Sequence, residues 1–204
     1  KLGQKNALMI NSGSSANLVL VNAAKQRFGW TEGDEIIASV VGFPTTTAPV
    51  IQAGLKCVFV DIEMDSLNFD LDKLEQALTP RTRALLVSPV LGNAPDFDRL
   101  VKICQERGLV FLLDDCDSLG SKWDGKLLNS YAFAASNSFY SSHHLGTGEG
   151  GMVVSDDAEF ISISVQEVLI TLAFTIAVVV ATMLLFFRAW RPTIVPSATI
   201  LPPS

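Results

Sequence analysis

Over the first 160 positions, short apolar runs alternate with amphipathic stretches. Residues 7–10, 35–40, 57–60, 84–87 and 109–113 are nearly unbroken apolar runs rich in aliphatic and β-branched side chains. That is the pattern of strands buried on both faces. Between them, residues 14–28, 46–53, 70–78 and 96–107 repeat apolar positions at helical spacing. In the segment 70–78, Leu71, Leu74, Ala77 and Leu78 share one helix face. Asp70 stands where a helix cap belongs, without the glutamate that would complete a capping box. Strand–helix alternation predicts an α/β fold: a mostly parallel sheet covered by helices, with right-handed crossovers. Ligands of such sheets collect at the carboxyl ends of the strands.

The pattern breaks after residue 160. Residues 168–187 are 20 consecutive uncharged positions, about 30 Å as a helix, the depth of a bilayer core. A buried core helix is the competing reading of such a run. Arg188 and Arg191, with Trp190 between them, mark the cytoplasmic end and interfacial belt of a membrane span. Residues 1–160 hold 13 basic and 20 acidic side chains, net −7, whereas 161–204 hold Glu167, Arg188 and Arg191 alone, net +1. Two physically different materials therefore meet near Phe160 and Ile161.

With 204 residues the chain is long enough for a core of ordinary size. A net charge of −6 argues against a non-specific nucleic-acid surface. Cys57, Cys104 and Cys116 form no CxxC pair and match no zinc spacing, so residues 1–160 read as belonging to a reducing cytoplasm. The opening Lys1-Leu2-Gly3-Gln4 lacks an initiator methionine and reads as a fragment boundary.

Four segments carry candidate chemistry. Asn11-Ser12-Gly13-Ser14-Ser15-Ala16-Asn17 joins a strand to a helix. Backbone N–H groups, hydroxyls and a positive helix end meet there, which suits an anion; an ordinary serine-capped helix has the same pattern. Gly42-Phe43-Pro44-Thr45-Thr46-Thr47 follows the second strand, where an aromatic ring covers a flat ligand or tucks into the core. Asp114-Asp115-Cys116-Asp117 follows the fifth run; no further ligand completes a metal set, and a carboxylate there can instead hold a positive charge on a ligand. Ser138-Phe139-Tyr140-Ser141-Ser142-His143-His144 precedes Glu149-Gly150-Gly151. Adjacent histidines rarely converge on one ion, so no metal site is predicted.

In order and spacing these segments resemble the DegT/DnrJ/EryC1/StrS family of sugar aminotransferases over about residues 3–160. The linking landmarks are Gly33-Asp34-Glu35-Ile36-Ile37, Val60-Asp61-Ile62 and Leu78-Thr79-Pro80-Arg81-Thr82-Arg83-Ala84. The resemblance implies the incomplete large domain of a fold-type I pyridoxal-phosphate enzyme. It assigns Gly13, Ser14, Ser15 and Ser138 to the cofactor phosphate and Phe43 to the face of its ring. Asp114 goes to the pyridine nitrogen and Asp117 to the neighbourhood of the phenolic oxygen. Asp115 is left as a solvated or capping acid, and Glu149-Gly150-Gly151 as a structural turn.

His143 stands where the family carries its Schiff-base lysine, and an imidazole cannot form that imine. A branch of the family with histidine there uses pyridoxamine phosphate to remove the C3 hydroxyl of nucleotide-linked 4-keto-6-deoxyhexoses. Leu91-Gly92-Asn93 and the segment 139–144 resemble that branch, nearest to members acting on CDP-4-keto-6-deoxyglucose on the way to the 3,6-dideoxyhexoses of lipopolysaccharide. The resemblance thus implies a nucleotide-sugar substrate, a homodimer and, in some relatives, a reductase partner working through an iron–sulfur cluster. Sugar transamination with pyridoxal phosphate is the alternative.

Residues 161–204 depart from that family. Ser164-Val165-Gln166-Glu167-Val168, the apolar span and the segment 186–196 resemble a transmembrane segment of resistance-nodulation-division efflux pumps. This implies an inner-membrane origin for the tail and a chimeric chain. Arginines on the inside would put residues 1–160 outside the cytoplasm, in conflict with the first resemblance. A membrane-anchored or transporter fragment, and a catalytically dead association domain, are the remaining readings.

Overall fold

A computed structural model describes residues 2–187. The chain divides into two compact units, Lys1–Ser164 and Val165–Ser204.

The first unit is built on a seven-stranded sheet. Its strands are β1 (Asn6–Ile10), β2 (Glu35–Ser39), β3 (Lys56–Val60), β4 (Thr82–Val87), β5 (Val110–Asp114), β8 (Ala134–Ser138) and β9 (Gly151–Ser155), in the order β1-β9-β8-β5-β4-β2-β3. From β3 to β8 all neighbours are parallel, while β9 runs antiparallel to both β8 and β1. A small hairpin, β6 (Lys122–Trp123) and β7 (Lys126–Leu127), follows β5 in the chain. The expected mostly parallel sheet is present. Its five predicted strands each agree with an observed one to within two residues at either end.

Strands β8 and β9 add to that expectation. β8 reads Ala-Ala-Ser-Asn-Ser and is buried throughout, so no hydrophobic run announces it. Two of its polar side chains donate to buried partners: Ser136 Oγ to Asn17 Oδ1, and Asn137 Nδ2 to Asp115 Oδ2 at 2.9 Å.

Helices α1 (Gly13–Phe28), α2 (Pro44–Gln52), α3 (Leu71–Ala77) and α4 (Phe97–Arg107) fill the crossovers. α2 begins earlier than the periodicity suggested, because Pro44 opens it, where a proline's missing N–H costs nothing. Asp70 does cap α3, accepting from the N–H groups of Asp72 and Lys73. α1 packs on β8 and β9 and against α2. Leu71, Leu74, Phe97, Leu100 and Ile103 of α3 and α4 join one core with Leu85, Val87, Phe111 and Leu113. The alternate residues Ala84, Leu86 and Leu112 are equally buried, so both faces of the sheet are covered.

A last helix, α5 (Ala158–Phe187), starts inside the first unit. Asp157 Oδ1 accepts from Phe160 N at 2.9 Å and fixes its start, while Arg27 lies 3.1 Å from Asp157 and 3.2 Å from Glu159. Phe160 is fully buried, edge-on to Phe133 at 5.5 Å. The helix therefore begins ten residues before the predicted span, since nothing between Ala158 and Val168 breaks it.

Of the second unit the structure describes the remainder of α5. This helix is long and apolar enough to cross a membrane, and Ile170, Phe174, Leu185 and Phe186 are exposed. Thr175 and Thr182 donate to the carbonyls of Thr171 and Val178, one turn back, at 2.8 Å each. The arginine and tryptophan markers at 188, 190 and 191 lie outside the described residues.

Candidate active site

The carboxyl ends of β2, β4, β5 and β8 open toward a cavity of about 530 Å³, a volume suited to a small molecule. Gly13, Ser14, Phe43, Asp114, Asp117, Ser138 and His143 all line it; Ser15, expected beside them, does not. Ser15 instead belongs to the cap of α1. Its N–H donates to Ser12 Oγ at 3.1 Å, and the two hydroxyls lie 3.1 Å apart.

The first turn of α1 brings the positive end of a 16-residue helix to the cavity at Gly13 and Ser14. Ser138, at the end of β8, approaches it from across the sheet. An added Cβ at Gly13 would lie 2.5 Å from Ser138 Cβ and 2.7 Å from its hydroxyl, so only glycine permits this approach. An anion here would meet backbone N–H groups of the helix start and serine hydroxyls together.

Asp114 closes the end of β5 and is 3% exposed. Its Oδ2 accepts from Asn17 Nδ2 at 2.8 Å and Thr46 Oγ1 at 2.6 Å; its Oδ1 accepts from Cys116 N at 3.2 Å. Three donors from three elements fix the carboxylate at the cavity wall. Asn17 and Thr46 also line the cavity; both lie inside the sequence motifs but were given no role there. The signal for Asn17 was there: a polar residue beside Ala16, Val19 and Leu20 on a buried helix face. Phe43 caps α2 without tucking into the core; it is 67% exposed and lies on the cavity rim.

His143 lies in the loop between β8 and β9. The loop is closed at its base, where Phe139 N donates to Gly150 O and Thr147 N to Phe139 O, each at 2.9 Å. His143 N donates to Tyr140 O at 3.0 Å, and the ring Nδ1 lies 3.3 Å from Asp117 Oδ1. His144 is exposed. Tyr140, Ser142 and Glu149 join the lining, so Glu149 is not confined to a structural turn.

Asp115 departs from its expected role. It is not solvated but 2% exposed, accepting from Ser118 Oγ and Asn137 Nδ2 beneath the sheet end. Alternation along the chain turns it away from the cavity that Asp114 faces. Burial pushes its carboxyl up to about 6 despite those two donors, with the charge of Asp114 adding to the rise. Burial and the same acids push the Cys116 thiol far up, so it presents a neutral S–H to the cavity.

A flat phosphorylated pyridine fits this donor set. The helix end and Ser138 suit its phosphate, Asp114 suits a protonated ring nitrogen, and the exposed Phe43 suits its face. Among the described residues no lysine lines the cavity; Lys122 and Lys126 are exposed on the β6–β7 hairpin.

Comparison with known proteins agrees with this arrangement. A GDP-4-keto-6-deoxy-D-mannose 3-dehydratase of Yersinia pseudotuberculosis is 42% identical over 161 residues, 77% of this chain and 40% of that protein. A dTDP-4-dehydro-2,6-dideoxy-D-glucose 3-dehydratase of Saccharopolyspora spinosa is 39% identical over 161 residues, 77% of this chain and 35% of that protein. Among solved structures, the E. coli GDP-4-keto-6-deoxy-D-mannose-3-dehydratase with bound hydrated PLP superposes with a TM-score of 0.76 at 38% identity, covering 79% of this chain and 42% of that one. The chain thus spans about two-fifths of the length of the curated relatives it matches. The aminotransferase family itself matches residues 1–166. With its sheet, its cavity and these likenesses in agreement, the chain belongs to the DegT/DnrJ/EryC1/StrS aminotransferase family.

Proposed function

We propose that residues 1–160 are the cofactor half of a dehydratase that removes the C3 hydroxyl of a nucleotide-linked 4-keto-6-deoxyhexose, on a route to a dideoxysugar of lipopolysaccharide. One observation carries this reading: the imidazole of His143 lines the same cavity as Asp114, and no lysine lines it among the described residues. The relatives' names carry GDP and dTDP sugars, and a GDP-linked 4-keto-6-deoxymannose is the first substrate to test.

Pyridoxamine phosphate, when bound, supplies an amine for the C4 ketone and a ring that takes up electron density. Gly13, Ser14 and Ser138 would bind its phosphate, and Phe43 would cover its ring. Asp114, held by Asn17 and Thr46, would keep a proton on the ring nitrogen. His143 would take a proton from carbon onto a ring nitrogen, the part of a general base. A lysine at 143 would instead be a nucleophile and favour transamination.

The boundary near 160–161, the foreign origin of residues 161–204 and their insertion in an inner membrane are part of this proposal. The exposed apolar face of α5 supports the membrane reading, while the family match and the first unit run a few residues past that boundary, to residues 166 and 164. Cytoplasmic work for residues 1–160 fits three free thiols. A homodimer and a reductase partner would belong to the completed enzyme.

The test grafts residues 1–160 onto the remaining part of the Yersinia relative and supplies pyridoxamine phosphate with GDP-4-keto-6-deoxymannose. Release of the C3 hydroxyl is expected. Amination of the sugar without dehydration would give the transaminase alternative the better claim.

A further inference from the structure

Asp117 and His143 reach the cavity from different loops, one after β5 and one after β8. Asp117 Oδ1 lies 3.3 Å from His143 Nδ1, with side-chain exposures of 49% and 21%. The backbone of His143 is held separately, by the bond from its N–H to Tyr140 O at 3.0 Å. Glu149 also lines the cavity, but Asp117 is the acid found at ion-pair distance from this ring among the described residues.

A neutral imidazole carries its proton on one nitrogen, and the surroundings choose which. A negative charge beside Nδ1 favours the proton there and leaves the lone pair on Nε2. We infer that Asp117 is a positioning residue that holds His143 as its Nδ1–H tautomer, so that Nε2 is the nitrogen that acts as base. The task of Nε2 rests on the dehydratase reading; the tautomer is a property of this chain alone. The inference departs from the role the resemblance gives Asp117, near the phenolic oxygen of the cofactor. One half-exposed carboxylate is claimed by two uses, and the geometry here favours the histidine. Distances of this kind shorten when a ligand closes the site.

The experiment is nitrogen-15 NMR of the imidazole in the full chain, kept in detergent micelles at about pH 8.5, well above the ordinary histidine range. The sequence has two histidines, and His144→Gln leaves one signal set to assign. The expected spectrum is that of an Nδ1–H ring. Asp117→Ala should lose most of that population, while Asp117→Asn, whose amide oxygen still accepts at Nδ1, should keep most of it. Pyridoxamine phosphate is then added, its binding followed by its own fluorescence, and the Nδ1–H signal should persist.

In the grafted enzyme, Asp117→Ala should lower kcat by roughly 10- to 100-fold with little change in KM, and Asn should recover part of the loss. A ring that is Nε2–H in the unsubstituted chain, or unchanged in Asp117→Ala, overturns the inference. So does a switch to Nε2–H on saturation with pyridoxamine phosphate, which would assign the carboxylate to the cofactor. Failure of the cofactor to bind would count against the dehydratase reading alone, because the ligand-free spectra decide the tautomer.

Discussion

Replacing His143 by asparagine keeps a polar side chain of similar reach and removes the titrating base. In the grafted enzyme, His143→Asn should bind pyridoxamine phosphate with near-normal affinity and lose dehydration by at least about 100-fold; near-normal turnover would take His143 out of the chemistry. Gly13 tests the anion site separately. A methyl there meets Ser138 at 2.5 Å, so Gly13→Ala should weaken cofactor binding by about tenfold or more in a fluorescence titration, with folding retained. Asp115 carries a pH signature. Its folded value of about 6 lies above the ordinary carboxyl value of 3.8. The folded chain therefore holds a proton there that the unfolded chain has already lost between about pH 4 and 6. Stability from this group falls as pH rises through that window, and its full cost stands above pH 6. Asp115→Asn should gain about 2–3 kcal/mol near pH 7.5 and almost nothing near pH 4, read from urea midpoints. An equal gain at both pH values would exclude the buried charge as its cause.

Among the elements, α5 begins in the α/β unit, where Phe160 is fully buried against Phe133 and Ser164 donates to Phe160 O at 2.8 Å. Phe160→Ala should cost about 3–5 kcal/mol, the range for emptying an aromatic site, measured as a fall in urea midpoint. Beyond Ser164 the helix presents Leu169, Ile170 and Phe174 as exposed side chains. Truncation after Ser164 should raise solubility without detergent and leave cofactor binding unchanged. Increased aggregation of the shortened chain would mean that the removed residues cover a core surface.

At the scale of the molecule, the chain carries the proposed cofactor cradle and spans about two-fifths of its relatives' length. It should therefore show little or no turnover alone, even when loaded with pyridoxamine phosphate. Robust dehydration by the isolated chain would mean that a cradle of this size suffices.

Strand–helix alternation in the sequence determined the parallel sheet and its crossovers, because burial on both faces demands unbroken apolar strands. The order of the four motifs likewise determined the ends of the strands where chemistry gathers. At position 143 the side chain itself excluded an imine. The tertiary structure alone decided which polar residues meet. Strand β8 has no apolar run, and only packing against α1 and β5 made a strand of it. Asn17, Thr46 and Asp114 are far apart in sequence, and their hydrogen bonds exist only once three elements converge. Of two adjacent acids with the same local chemistry, Asp114 faces the cavity and Asp115 the core, because successive residues at a strand end turn to opposite sides.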